Sequence, residues 1–188
     1  MPAPPGLPPF PAAGAAPDTP AALAARGFLL RHARHDDLDW LCALYASTRA
    51  EELAQLPWPE AARQRFLADQ FALQHRHYVA HYGDARFLVL ERAGTPAGRY
   101  YLQCGAPDFL LVDISLVPAL RGQGIGGALV ADSQAQAARA GRGMALHVHA
   151  HNPGARRLYE RLGFVAEPSQ AQYVRMAWAP AAAGGPVS

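Results

Sequence analysis

The chain has 188 residues, 51% of them hydrophobic, enough to close one sizeable core, and no apolar run nears the ~20 residues of a membrane span. A net charge of +2, with all seventeen basic residues arginine and no basic block, argues against a nucleic-acid or membrane partner. Cys42 and Cys104 have neither metal nor redox spacing and fit core packing in a reducing compartment, hence a cytoplasmic location.

Residues 1–26 are rich in Pro, Ala and Gly and almost uncharged. Such a stretch buries too little to offset its ordering entropy and reads as a mobile tail. It lacks the basic start and continuous apolar region of a secretory signal. Phe28 to Arg31 reads as a first strand. His35-Asp36-Asp37 then offers an N-cap for a helix through about Ser47, with Leu38, Leu41, Cys42 and Tyr45 on its buried face. Glu51 to Pro59 reads as a loop. A longer helix, Glu60 to Tyr82, carries the stripe Leu67, Phe71, Gln74, Tyr78 and Tyr82, with Gln74 its odd polar member. Arg86 to Arg92 and Gly98 to Cys104 form a hairpin around Gly94–Pro96.

Phe109 to Val117 is apolar, interrupted only by Asp113 and Ser115, as in a strand covered on both faces. Pro118, which has no amide hydrogen, ends it. Gly122, Gly124, Gly126 and Gly127 follow, just before the helical stretch Ala128 to Arg139. Met144 to Ala150 is a strand. Asn152 and Pro153 open a last helix that Gly163 closes, and Tyr173 to Trp178 is the final strand. Residues 180–188 form a short second tail. The order β-α-α-β-β-β-α-β-α-β predicts an α/β fold, a mixed central sheet flanked by helices, in one domain over 27–179.

A glycine-rich turn that opens a helix lets backbone amides and the positive helix end meet a phosphate. Two readings compete for this one. Gly122-x-Gly124-x-x-Gly127 fits a dinucleotide fingerprint and thus an oxidoreductase, but the strand Met144 to Ala150 lacks the carboxylate that would hold a ribose. The other reading is Arg121-x-x-Gly124-x-Gly126. With the segment Asn152-Pro153-Gly154-Ala155-Arg156-Arg157-Leu158-Tyr159-Glu160-Arg161-Leu162-Gly163-Phe164, this stretch resembles the acyl-CoA loop and following signature of the GNAT superfamily of N-acetyltransferases. The two lie about 25 residues apart, and the resemblance spans roughly Gly27 to Trp178.

The resemblance implies the GNAT fold and transfer of acetyl from acetyl-CoA, as cosubstrate, to a primary amine of a small molecule or peptide, without metal. It implies that the central strand and the Met144 strand splay around the pantetheine arm, paired to the backbone of Leu116 and Val117. Gly122, Gln123, Gly124, Ile125 and Gly126 would cradle the pyrophosphate, with Arg121 near its charge and Asn152 a further contact. An amide near Ile114 or Leu116 would polarise the thioester carbonyl. Tyr159 would protonate the departing thiolate. Asp113, the only carboxylate of the central strand, is a candidate base or equally a structural residue. Glu51 and Glu52 border the acceptor side and read as solvated. Lysine autoacetylation is impossible in a chain without lysine. A non-catalytic acyl-CoA-binding regulator is the alternative, and dimers are common in the family.

His147, His149 and His151 alternate on one strand and so share a face, more simply an exposed one than a metal site. His75, His77 and His81 read as surface residues of the long helix. Trp58, Tyr78, Tyr100 and Tyr101 are candidates for an aromatic acceptor wall or for core.

Overall fold

The computed structural model describes residues 1–12, 14–15, 17–168 and 172–181. Its elements run α1 (Ala21–Ala24), β1 (Phe28–His32), α2 (Leu38–Ala54), α3 (Glu60–His81), β2 (Arg86–Arg92), β3 (Thr95–Gln103) and β4 (Phe109–Leu116). They continue with α4 (Ile125–Arg139), β5 (Met144–His149), α5 (Pro153–Arg161), β6 (Val165–Ala166) and β7 (Tyr173–Trp178). Among the described residues, seven strands form one sheet in the order β1-β2-β3-β4-β5-β7-β6. Every neighbouring pair is antiparallel except β4 with β5, which α4 joins as a crossover. This is the predicted mixed sheet between helices. It is not the parallel sheet that a dinucleotide-binding domain would need.

A hydrophobic core lies on each face of the sheet. Leu23 of α1, Ile125, Leu129 and Val130 of α4 and Tyr159 of α5 fill one. Leu41 and Cys42 of α2 and Leu67 and Phe71 of α3 fill the other, against Phe87, Val89 and Tyr101. Burying such side chains is worth roughly 1.5–3 kcal/mol each and holds both helical layers to the sheet.

A β-bulge in β4 decides what each face receives. Asp113 stands opposite Tyr101, but Leu111 stands opposite Leu102, so β4 carries one extra residue, Val112. Phe109 and Leu111 pack into the α4 core and Val112 into the α2–α3 core. Ile114 and Leu116 then return to the α4 side. Asp113 and Ser115 are thereby placed on the face of their partners Tyr101 and Arg99. Unbroken alternation would have aimed Asp113 at the α4 core instead.

Three expectations change. First, α2 runs on to Ala54, so Glu51 and Glu52 are helical rather than in a loop. The segment Ser47–Ala54 is made mostly of good helix formers, and Leu53, 4% exposed, anchors it in the core. Second, the described residues of 1–26 lie along the domain instead of forming a free tail. Leu7 and Leu23 are buried, and Phe10 packs edge-on against His75. Asp39 Oδ1 accepts from the Ala3 amide at 2.8 Å, and Thr19 Oγ1 from the Leu30 amide at 2.8 Å. Proline restricts the unfolded chain, so ordering such a segment costs less than its polarity suggests, and a few apolar anchors suffice. Third, His75 is 3% exposed and not on the surface, its Nε2 donating to the Pro8 carbonyl at 2.8 Å. The expected tail 180–188 lies outside the described residues from 182 onward.

Candidate active site

Pairing between β4 and β5 covers only Phe109–Leu111 with Met144–Leu146. Beyond Leu111 the two strands part, although β4 continues to Leu116 and β5 to His149. The Val117 amide donates to the Ala97 carbonyl of β3 at 3.0 Å. Backbone groups alternate along a strand, so Ser115 and Val117 face β3, whereas Ile114 and Leu116 face the gap. Of the two residues expected to pair with a ligand, only Leu116 keeps its amide on the open edge. The Leu116 carbonyl accepts from Arg121 Nε at 3.0 Å, and Arg121 Nη2 reaches Ser47 Oγ on α2 at 3.4 Å.

The glycine loop stands at the mouth of this gap. Gly122 and Gly124 have φ of +74° and +77°, a region that side chains disfavour. Gly124 caps α4, and the first turn closes with the Ala128 amide on the Gly124 carbonyl at 3.0 Å. The amides of Ile125, Gly126 and Gly127 therefore have no partner within the helix, and the first turn holds no carboxylate to compete for them. Together they form a cradle for an anion. Gln123 does not take part through its side chain, which turns back to donate to the Ala119 carbonyl at 2.7 Å.

Asn152 and Tyr159 come from α5. The Asn152 side chain accepts from the Ala155 amide at 3.0 Å, which sets the start of the helix beside the glycine loop. Tyr159, 6% exposed, packs edge-on against Phe164. Tyr159 lines the cleft, and its hydroxyl bonds to none of the described residues. Burial, with the Asp113 charge adding to it, pushes the Tyr159 phenol well above the ordinary tyrosine value. It therefore stays protonated across the neutral range.

These parts line one cleft of about 830 Å³. Leu116, Arg121, Gly122, Gly124, Ile125 and Gly126 border it, as do Asn152, Tyr159 and Asp113. Val117 and Gln123 do not line it.

Asp113 is in the cleft but is not a free base. Arg99 Nε and Nη2 donate to it at 3.1 and 2.6 Å, Tyr78 OH at 2.8 Å and Ser115 Oγ at 3.2 Å. A carboxylate has about four lone-pair sites, and four donors occupy them. Arg99 is 3% exposed, and its Nη2 also donates to Gln74 Oε1 at 2.9 Å. That bond explains the polar member of the α3 stripe, and sequence periodicity alone gave no hint of it. Tyr45, Thr48, Arg49, Gln74 and Arg99 are cleft residues that the motifs did not supply.

The remaining candidates lie elsewhere. Tyr78 anchors Asp113, and Tyr100 and Tyr101 are buried in opposite cores, Tyr100 bonded to Ser133 Oγ at 2.7 Å. Trp58 packs on Phe66 near the surface, so no aromatic acceptor wall forms from these four. Glu51 and Glu52 are exposed and outside the cleft lining, and Glu52 is paired with Arg49. His147 is exposed, His149 stacks edge-on with Tyr173, and His151 lies past the end of β5. Among the described residues, no group of three His, Cys, Asp or Glu is placed to hold a metal, and no helix is long and apolar enough to cross a membrane.

The sequence profile of the acetyltransferase (GNAT) family matches residues 47–164, more than half of the chain. No curated protein matches it significantly. Among solved structures, a PaiA N-acetyltransferase from Thermoplasma acidophilum in complex with coenzyme A superposes with a TM-score of 0.62 at 18% identity, over 81% of this chain and 99% of that one. The ribosomal-protein-S18-alanine N-acetyltransferase from Escherichia coli gives 0.54 at 22% identity, over 86% and 99%. A spermidine N-acetyltransferase chimera from Vibrio cholerae and hSSAT gives 0.53 at 21% identity, over 81% and 95%.

Proposed function

This chain belongs to the GNAT family of acetyltransferases, and from that premise we propose that it moves the acetyl group of acetyl-CoA directly to a primary amine of a small molecule or peptide. The observation that carries the reading is the wedge between β4 and β5. It opens onto the glycine loop at one end and holds Tyr159 in the same cleft.

The residues present fit the cosubstrate. The open edge at Ile114 and Leu116 suits an amide-bearing arm that pairs like an added strand. The amides of Ile125, Gly126 and Gly127, with the turn at Gly122 and Gly124, suit a pyrophosphate, and Arg121 adds charge beside them. Acetyl-CoA supplies an activated thioester. The Ile114 or Leu116 amide is a preorganised donor for the carbonyl oxygen as charge develops on it. Tyr159, kept protonated by burial, donates to the departing thiolate, and Asn152 holds α5 and hence Tyr159 in place.

Among the described residues no histidine lines the cleft, and the one carboxylate that does, Asp113, is saturated. The acceptor ammonium therefore loses its proton to water. The nearby Arg49 and Arg99 guanidinium groups help, because like charge disfavours an ammonium ion. Asp113 acts on this reading as a positioning residue that holds Arg99. Residues 27–179 form the catalytic domain, and the free thiols of Cys42 and Cys104 fit a cytoplasmic enzyme.

The test is release of free CoA from acetyl-CoA across an amine panel, with wild type and Tyr159→Phe in parallel. The expected result is turnover on some amine, with kcat at least tenfold lower in the variant and acetyl-CoA affinity retained. General acid catalysis contributes roughly 10²–10⁴-fold, and a thiolate leaving group needs the smaller share. Unchanged kcat in the variant would remove Tyr159 from the mechanism. Absence of both turnover and stabilisation by acetyl-CoA would overturn the assignment.

A further inference from the structure

The acceptor half of the cleft is rich in hydrogen-bond donors and, among the described residues, has no free anion. Arg99 forms its floor, 3% exposed, with Nε and Nη2 committed to Asp113 and Gln74. Its Nη1 bonds to none of the described residues. Arg99 nonetheless lines the cleft, with the Tyr101 ring beside its guanidinium. Gln74 accepts from Arg99 through Oε1, which turns its Nε2 donor away from the guanidinium. Tyr45 and Arg49 complete this wall. Tyr45, Arg49 and Arg99 thus border the same cleft from α2 and β3.

The counter-charges point elsewhere. Asp113 is saturated by its four donors. Glu52 holds Arg49 by Nε at 2.9 Å and Nη2 at 3.0 Å, but it is 63% exposed and outside the cleft lining. Such an exposed pair is screened by solvent and easily rearranged. Arg121 and Arg161 lie beside the glycine loop and on α5, where the cosubstrate's own phosphates would meet them.

A cationic amine has no reason to enter this half unless the same molecule brings an anion. Resting on the acetyltransferase reading, we propose that the acceptor is an amine that carries a carboxylate, as an amino acid does, and that Arg49, Gln74 and Arg99, which line the same wall, bind that carboxylate while the amine faces the thioester. The guanidinium groups then play two parts. They hold the planar anion by charge-assisted bonds, and they lower the proton affinity of the neighbouring amine. A polyamine fails on both counts, because each further ammonium meets Arg49 and Arg99 with no carboxylate to pair with.

The test measures kcat/KM by CoA release for matched acceptors: alanine against alaninamide, phenylalanine against phenylalaninamide, phosphoethanolamine against ethanolamine, and spermidine. The expected result is at least a tenfold preference for each carboxylate over its amide, with phosphoethanolamine and spermidine both poor. Replacement of Arg99 strands Asp113, so Arg49 carries the mutational arm. Arg49→Gln should raise KM for the carboxylate at least fivefold, and Arg49→Glu should remove the preference. In both variants the KM for acetyl-CoA and the melting temperature stay as in wild type, which a merely structural role would not produce. Glu52→Gln, which releases Arg49, should lower the carboxylate KM. A preference for amides, for phosphoethanolamine or for spermidine overturns the proposal and leaves the transferase standing. So does silence on every carboxylate while acetyl-CoA still stabilises the protein. Loss of that stabilisation as well overturns the transferase reading, and this inference with it.

Discussion

Replacing Asp113 with alanine leaves the Arg99 guanidinium, 3% exposed, without its carboxylate, and takes the acceptor from Tyr78 OH and Ser115 Oγ. Removing one partner of a buried ion pair costs about 3–5 kcal/mol, because the other charge stays desolvated. An exposed pair such as Arg63 with Glu60 contributes far less, because solvent screens both charges. For a chain of this size each kcal/mol moves Tm by roughly 2–4 °C, so the expected fall for Asp113→Ala is roughly 6–20 °C. Asp113→Asn keeps the shape and one carbonyl acceptor and should lose less. Thermal unfolding followed by circular dichroism gives the stability, and the pH–rate profile on an active acceptor gives the chemistry. If Asp113 anchors Arg99, Asp113→Asn is destabilised and its acidic limb persists, because no proton acceptor has been removed. A variant that melts within 1 °C of wild type, loses over ~10²-fold in kcat and lacks the acidic limb would refute this reasoning and make Asp113 the base.

Two further perturbations probe the scaffold. A Cβ on Gly98 would lie 2.6 Å from Leu116 Cδ2 and 2.7 Å from the Ser115 carbonyl, so Gly98→Ala must push β3 from β4. Overpacking of this kind costs about 1–3 kcal/mol, and because Leu116 borders the cleft, acetyl-CoA affinity in calorimetry should fall with Tm. An unshifted Tm would contradict the tight β3–β4 approach. Burial holds His75 below the usual histidine value, although its bond to the Pro8 carbonyl pulls the other way. The unfolded chain therefore binds this proton first, at about pH 6.5. The associated stability is complete above that pH and is lost as pH falls toward the depressed folded value. His75→Gln should remove this step from the pH dependence of urea unfolding, and an unchanged slope would show that His75 does not titrate in the unfolding reaction.

Much of the fold was legible in the sequence. Runs such as Arg86–Arg92 and Phe109–Leu116 are long, apolar and bounded by breakers, and the strands form there. Asn152, Pro153 and Gly163 mark both ends of α5, because capping depends on residues a few positions apart. Local signals failed where burial by distant segments decides. Residues 1–26 look unable to order by composition, yet Leu7, Phe10 and Leu23 find apolar seats supplied by the domain.

The same division runs through the site. The cofactor half is written in two contiguous motifs, since a phosphate cradle needs only the backbone of one glycine turn and one helix start. Only the tertiary structure decided the acceptor half. Tyr45 and Arg49 come from α2, Gln74 from α3, Arg99 from β3 and Asp113 from β4, with no spacing that joins them. Even the direction of Asp113 depends on a single bulged residue, Val112, which alternation cannot reveal. A charge in sequence is only a residue type. Whether it acts as base, anchor or ligand depends on how many donors the fold brings within about 3 Å of it, and that count comes from long-range packing.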